Sequence, residues 1–166
     1  MLRRTHHFIF LCFVLAYTSC GYAKTISIDL LGPTEPIQPI GTITATDTPY
    51  GLLLIPHLNH LPNGQHGFHV HENLSCADAG MAAGGHLDPK KTNTHLGPYN
   101  NHGHLGDLPA LYVDKDGRAT TPILAPRLKI ADIQNHAIMI HAGGDNYTDT
   151  PPNGGGGARL ACGIIH

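Results

Sequence analysis

Histidines carry the chemistry that this sequence advertises, and their spacing sorts them. His69 and His71 stand two apart in a strand-like segment, residues 67–71. With a side-chain period of two, both imidazoles leave the same face of such a strand. A pair of neutral imidazoles on a rigid strand suits copper or zinc and poorly suits calcium or magnesium. Alone the pair is weak, because His-x-His arises by chance in a chain with 14 histidines among 166 residues. A second set is more specific. His86, His95 and His104 follow one another at intervals of nine, and Asp107 comes three residues after His104. Three imidazoles and a carboxylate complete a tetrahedral zinc shell with no position left for water, which is the mark of a structural site. His141 lies apart, on a late strand-like segment. Any one of these side chains would be at home as a solvated surface histidine; the whole set points to metal.

The elements that must position them are short. Residues 25–31, 37–45, 50–55, 67–71, 110–113, 119–124, 137–141 and 159–165 read as strands bounded by Gly, Pro and Asp. Residues 133–139 could form a helical turn, but the alternation of Ile138 and Ile140 with Met139 and His141 favours a strand. The run Asp114-Lys115-Asp116-Gly117 reads as a hairpin turn and lacks the downstream oxygen ligands of a calcium loop. About eight strands and no long amphipathic helix predict an all-β antiparallel barrel or flattened sandwich. Two long loops, 73–106 and 143–157, interrupt the pattern, and loops of that length in a compact domain are usually disordered or functional. The first is full of candidate ligands and contains Cys76; Cys162 lies just beyond the second.

The N-terminus reads as an export leader. Arg3 and Arg4, the apolar run 8–16, and small residues at Gly21 and Ala23 form the three regions of a secretory signal peptide. Cleavage after Ala23 would leave residues 24–166 as one domain. The apolar run is shorter than the roughly 20 residues that a bilayer crossing needs, and no other stretch approaches that length, so no transmembrane segment is expected. Cys20 leaves a second fate open, lipidation, although Tyr17 stands where a small aliphatic residue would be usual. Without residues 1–23 the chain keeps eight basic and twelve acidic residues, a formal charge of −4. No basic stripe is available to neutralise phosphates, which excludes a nucleic-acid partner. The two remaining cysteines, Cys76 and Cys162, invite one disulfide in an oxidising compartment, the alternative being two independent buried thiols. Closing a loop of about 87 residues would stabilise the fold by roughly 4–5 kcal/mol.

Four motifs then resemble a known family. Gly67-Phe68-His69-Val70-His71-Glu72, Gly84-Gly85-His86-Leu87-Asp88-Pro89, His104-Leu105-Gly106-Asp107-Leu108-Pro109 and Gly154-Gly155-Gly156-Gly157-Ala158-Arg159-Leu160-Ala161-Cys162-Gly163 closely resemble the signatures of the Cu/Zn superoxide dismutases. With the leader and the Gly97-Pro98-Tyr99 and Asp145-Asn146-Tyr147 segments, the bacterial exported branch is most similar. The resemblance runs from about Thr42 to the C-terminus and implies an eight-stranded Greek-key barrel or flattened sandwich in the periplasm. It implies copper at His69, His71 and His141, a copper–zinc bridge at His86, and zinc at His95, His104 and Asp107. Asp145 would be the aspartate behind His69 and His95, Cys76 and Cys162 the family disulfide, and Arg159 the arginine beside the copper channel. The implied reaction turns two superoxide anions and two protons into oxygen and hydrogen peroxide by cycling Cu(II) and Cu(I). His86 would hand over a proton, and Arg159 would hold the anion.

Other features stay outside that set. His66 is expected to bond the backbone rather than a metal. His102 is set aside in favour of His104, the one followed by Gly106-Asp107, and His57, His60, His136 and His166 have no placed role. No lysine lies between His141 and Arg159, so Lys90 and Lys91 are the candidates for steering superoxide, against their being an ordinary solvated pair. The competing function is a non-enzymatic copper- or zinc-buffering module on the same fold. Monomer and homodimer are both open.

Overall fold

The computed structural model describes residues 22–31 and 38–166. Nine strands are present among them: β1 (Ala23–Leu30), β2 (Gln38–Thr48), β3 (Gly51–Leu58), β4 (Gly64–His66), β5 (Phe68–His71), β6 (Leu111–Val113), β7 (Ile123–Ala125), β8 (His136–His141) and β9 (Arg159–Ile165). A single helical turn, α1 (Ile130–Ile133), precedes β8. The expected leader lies outside the described residues except at its end, where Ala23 opens β1.

Alternation builds the sheet. Ile26 and Ile28 of β1, Ile43 and Ala45 of β2, and Leu52, Leu54 and Leu58 of β3 all turn inward and are buried. Thr25, Ser27, Thr44 and Ile55 lie between them on the outer face, where β-branched side chains fit the pleat. Each fully buried aliphatic side chain contributes roughly 1.5–3 kcal/mol relative to exposure. The strands join in the order β5-β8-β9-β1-β2-β3-β7, every pair antiparallel, and β4 pairs with β6. Only Gly67 separates β4 from β5. Beyond β6, Ala119 bridges to Leu58 at the end of β3. These contacts curl the sheet into an open, flattened sandwich around one core, the Greek-key arrangement expected.

Two local expectations shift. The turn at residues 114–117 forms, with the Asp114 carboxylate accepting from the Asp116 and Arg118 N–H groups, but its flanking strands go to different partners, β4 and β3. The strand expected at 119–124 becomes β7, starting at Ile123, because Pro122 has no N–H to donate to a ladder. The strand preferred over a helical turn at residues 133–139 forms as β8, and the turn lies just before it, at α1, where the Asp132 carboxylate accepts from the Lys129 N–H.

Candidate metal centre

The site is built on the outside of the sheet, over β5, β8 and β9. In β5, Phe68 and Val70 point into the core, so His69 and His71 point outward. In β8, Ile138 and Ile140 take the core face, which leaves Ala137, Met139 and His141 on the outer face with the two histidines. All four residues of β5 and the last five of β8 are nevertheless buried, because the two long loops cover this face. A β-bulge between Ile140 and His141 sets His141 opposite Arg159 rather than Leu160. Bulges at such places re-aim side chains, and this one turns Arg159 to the ligand face.

The first loop is fastened along β5. Leu87 N–H donates to Val70 O at 2.8 Å, Val70 N–H to Gly106 O at 2.9 Å and Gly106 N–H to Leu87 O at 2.9 Å. These bonds bring His86 opposite His71 and Asp107 opposite His69. A disulfide between Cys76 and Cys162, with S–S 2.01 Å and Cα–Cα 5.9 Å, ties the start of the loop to β9. The second loop folds over the first. Asp149, which nothing in the sequence singled out, accepts the His95 N–H on both carboxylate oxygens, at 3.1 and 3.0 Å. The Tyr147 hydroxyl accepts from Ala110 N–H at 2.9 Å.

Two four-residue donor clusters result, beside a smaller grouping of His69, His95 and Asp145. His69, His71, His86 and His141 form one, and His86, His95, His104 and Asp107 the other, with one ligand atom from each residue within 4.8 Å of the rest of its cluster. His86 belongs to both. The imidazoles are held from behind. His69 Nε2–H donates to Asp145 Oδ2 at 2.6 Å and His95 Nε2–H to Asp145 Oδ1 at 2.8 Å. His71 Nδ1–H donates to Gly84 O at 3.0 Å, and His141 Nδ1–H to Gly157 O at 3.3 Å. The opposite nitrogens His69 Nδ1, His71 Nε2 and His141 Nε2 are buried without a hydrogen-bond partner, and so are His95 Nδ1 and His104 Nδ1, which face Asp107 Oδ1 at 3.0 and 3.4 Å outside hydrogen-bond geometry. Buried polar atoms are rarely left alone, and five of them converging in two clusters fit metal ions as the missing partners.

Protonation agrees with that fit. Burial pushes the pKa of His69 down to about 3, of His71 to about 2 and of His141 to about 4, and it lowers His86 as well. Near neutral pH these rings are uncharged, with a lone pair to offer. His95 is the exception. Burial opposes its protonation, but its contacts with Asp107 and Asp145 outweigh that and raise it to about 9. Burial also disfavours ionised Asp107, yet the His104, His86 and His95 rings that face it hold its carboxyl well below the usual range. Asp145 is likewise held low against burial by His69, His95 and the Tyr147 N–H. Three imidazoles around an ionised carboxylate make a zinc-type donor set, and the all-imidazole cluster suits copper.

Residues 40–165 match the copper/zinc superoxide dismutase (SODC) family. The chain belongs to the Cu/Zn superoxide dismutases. It is 56% identical over 156 residues to the Cu-Zn superoxide dismutase of Legionella pneumophila, covering 92% of this chain and 96% of that one. It is 60% identical over 136 residues to one from Salmonella typhimurium, covering 76% of this chain and 77% of the relative. Among solved structures, the Cu/Zn superoxide dismutase from Brucella abortus superposes with a TM-score of 0.84 at 45% identity, over 87% of this chain and all of that one. The solution structure of the monomeric enzyme from Salmonella enterica gives 0.77 at 48% identity, over 87% of this chain and 100% of that chain. A superoxide dismutase-like protein from Bacillus subtilis gives 0.70 at 31%, over 86% and 97%.

This dismutase opens to solvent above its all-imidazole cluster. A cleft of about 320 Å³ is lined by His71, His86 and His141, by Arg159, and by residues of the second loop. Arg159 is half-buried and donates Nη1 to Gly80 O and Nη2 to Gly84 O. Beside it, a smaller depression of about 180 Å³ meets His86 and His104 and includes Lys91; Lys90 instead lines a separate groove with Arg127. Each ring nitrogen of His66 lies at hydrogen-bond distance from a carbonyl, His141 O at 2.7 Å and Pro62 O at 2.8 Å, which is the backbone role expected. His57, His60, His102, His136 and His166 join neither cluster. No helix among the described residues is long and apolar enough to cross a membrane.

Proposed function

We propose that this enzyme dismutates superoxide with copper held by His69, His71, His86 and His141 and zinc held by His86, His95, His104 and Asp107. One observation carries the reading: four of the rings pair a fixed nitrogen with an orphaned one, and the orphaned nitrogens aim into two adjoining clusters. Copper bound there would supply one-electron exchange in both directions, and zinc a redox-silent positive charge. Arg159 supplies the anion contact. With two donors engaged by Gly80 and Gly84, its permanent charge is held at the wall of the cleft, where a small anion can hydrogen-bond to it. His86 has Nδ1 3.0 Å from Asp107 Oδ1, which leaves Nε2 to serve the other cluster and to hold a proton for the product peroxide. Asp145 keeps His69 and His95 in the tautomer that presents Nδ1.

Export belongs to the same proposal. A disulfide persists in oxidising compartments, and residues 1–23 carry the leader pattern, so we place the mature chain, residues 24–166, in the periplasm. The mass of the mature N-terminus tests the cut after Ala23 and the lipidation of Cys20. Superoxide decay followed by pulse radiolysis tests the activity. The copper- and zinc-loaded chain should outpace free copper, and His141→Ala should abolish that advantage. Full copper occupancy with no gain over free copper would instead support the metal-buffering module.

A further inference from the structure

Behind the second cluster, on the side away from its metal-facing atoms, a single guanidinium gathers the backbone of the loop. Arg127 follows β7 and is half-buried. Its Nε–H donates to Pro98 O at 2.8 Å, and its Nη2 donates to His104 O at 2.6 Å and to Gly97 O at 3.2 Å. Nη1 reaches Gly103 O at 3.5 Å. These carbonyls come from two passes of the loop, one just after His95 and one ending at His104. The passes lie against each other, with His104 N–H donating to Thr94 O at 3.0 Å. On their other side, the N–H groups of Leu96 and Gly97 donate to Asp107 Oδ2 at 3.3 and 3.2 Å. That leaves Asp107 Oδ1 pointing at the Nδ1 atoms of His86, His95 and His104, at 3.0, 3.0 and 3.4 Å. The backbone between the two residues is therefore gripped at its carbonyls by Arg127 and at its N–H groups by Asp107.

We propose that Arg127 is the positioning residue of the zinc half-site. It fixes the two loop passes that carry His95 and His104 and, through the Leu96 and Gly97 amides, the orientation of the Asp107 carboxylate. It touches no metal-facing atom. The proposal rests on the assignment of His95, His104 and Asp107 to zinc. A planar fork with several fixed donors can serve carbonyls on two passes at once, which a point-like ammonium cannot. Charge alone should not replace it.

The test uses the mature chain with its disulfide intact, stripped of metal and then titrated with zinc or copper against chromophoric competitors. Arg127→Lys keeps the charge, and Arg127→Met keeps the bulk of the stem. Both should bind zinc about 10–100-fold more weakly, the usual cost of losing an outer-shell contact, with copper affinity changed by less than about threefold. Cobalt placed in the zinc half-site should show an altered visible spectrum in both variants. Zinc affinity within about twofold of the parent in Arg127→Lys would overturn the proposal, and so would equal losses of zinc and copper, which mark a general loss of structure. If Arg127→Met does not fold, Arg127→Lys decides. A parent chain whose zinc uptake survives both His104→Ala and Asp107→Asn would overturn the zinc assignment itself, and this inference with it.

Discussion

Two glycines of the second loop offer a measurement in which one clash is isolated from one backbone cost. Gly154 and Gly157 both hold positive φ, 74° and 69°. An alanine at either position enters the left-handed region, at about 1–2 kcal/mol. The surroundings differ. A Cβ on Gly157 meets nothing within 4 Å, whereas on Gly154 it would sit 2.1 Å from Asp145 Oδ1 and 2.7 Å from His95 Nε2. Reaching ordinary contact requires Oδ1 to retreat by roughly 1 Å. The Asp145–His95 hydrogen bond starts at 2.8 Å, and a retreat of that size takes it beyond bonding distance. A charge-assisted hydrogen bond is lost, worth about 1.5–3 kcal/mol. Gly154→Ala should therefore cost about 2.5–5 kcal/mol and Gly157→Ala about 1–2.

For a chain of this size that corresponds to a Tm lower by about 8–15 °C in the first variant and by about 3–6 °C in the second. Zinc affinity should fall about 10–100-fold only in Gly154→Ala, since only there does His95 lose the contact that fixes its tautomer. Calorimetry of both variants, with zinc competition titrations, reads both effects. Indistinguishable Tm values and zinc affinities in the two variants would refute the role given to the Asp145–His95 contact.

Asp107→Asn should lower zinc affinity and loosen the first loop, seen as faster amide exchange, while His141→Ala should remove copper and leave zinc bound; metal analysis of the two variants checks the division. Lys91 borders the depression that meets His86, and Lys90 does not, so Lys91→Ala should slow superoxide capture up to about tenfold and flatten its salt dependence while Lys90→Ala changes little. Reducing Cys76–Cys162 should cost roughly 4–5 kcal/mol, measured by urea unfolding with and without reductant. The metal-free chain should be most stable near pH 6.5. Unfolded, its imidazoles take protons near that pH, whereas folded His69 and His141 stay neutral down to about 3 and 4. The unfolded state therefore binds more protons as the pH falls below 6.5, and stability drops by on the order of a few kcal/mol by pH 5. His95, raised to about 9, contributes stability below 6.5 that is lost as the pH rises through 9. Urea midpoints across pH 5–9 check both slopes.

Side chains whose partners are other side chains were legible in the sequence. The period of two put His69 and His71 on one face, and the spaced histidines with Asp107 read as a metal shell because three imidazoles and a carboxylate complete a tetrahedral site. His66 and Arg159, whose partners are carbonyls, were reached only through the family motifs, and two other residues with backbone partners were not reached at all. Arg127 serves carbonyls and Asp149 serves one N–H, and neither kind of partner leaves a mark in composition or spacing. The missed strand, Gly64-Gln65-His66, is three residues long with no apolar alternation, and its pairing is visible only once Leu111–Val113 lies beside it. The hairpin expected around Gly117 failed for a related reason. Local chemistry specifies a turn, but which strands its arms join is decided by the closure of the whole sheet.

The two clusters differ in what holds them, and the difference matches the chemistry proposed for each. Three of the four histidines assigned to copper lie on β5 and β8, strands whose other face is packed core: Phe68 and Val70 beneath one, Ile138 and Ile140 beneath the other. A centre that changes oxidation state needs ligands that do not move between its two states, and side chains rooted in a packed sheet are more precisely held than any on a loop. All four residues assigned to zinc lie outside the nine strands, in or just after the long loop that follows β5. A closed shell with no redox role gives such a segment order that its sequence lacks. His86 joins the two regimes. It is the one residue assigned to copper that lies outside the sheet, and of the set it is the ring whose proposed task requires a proton to come and go.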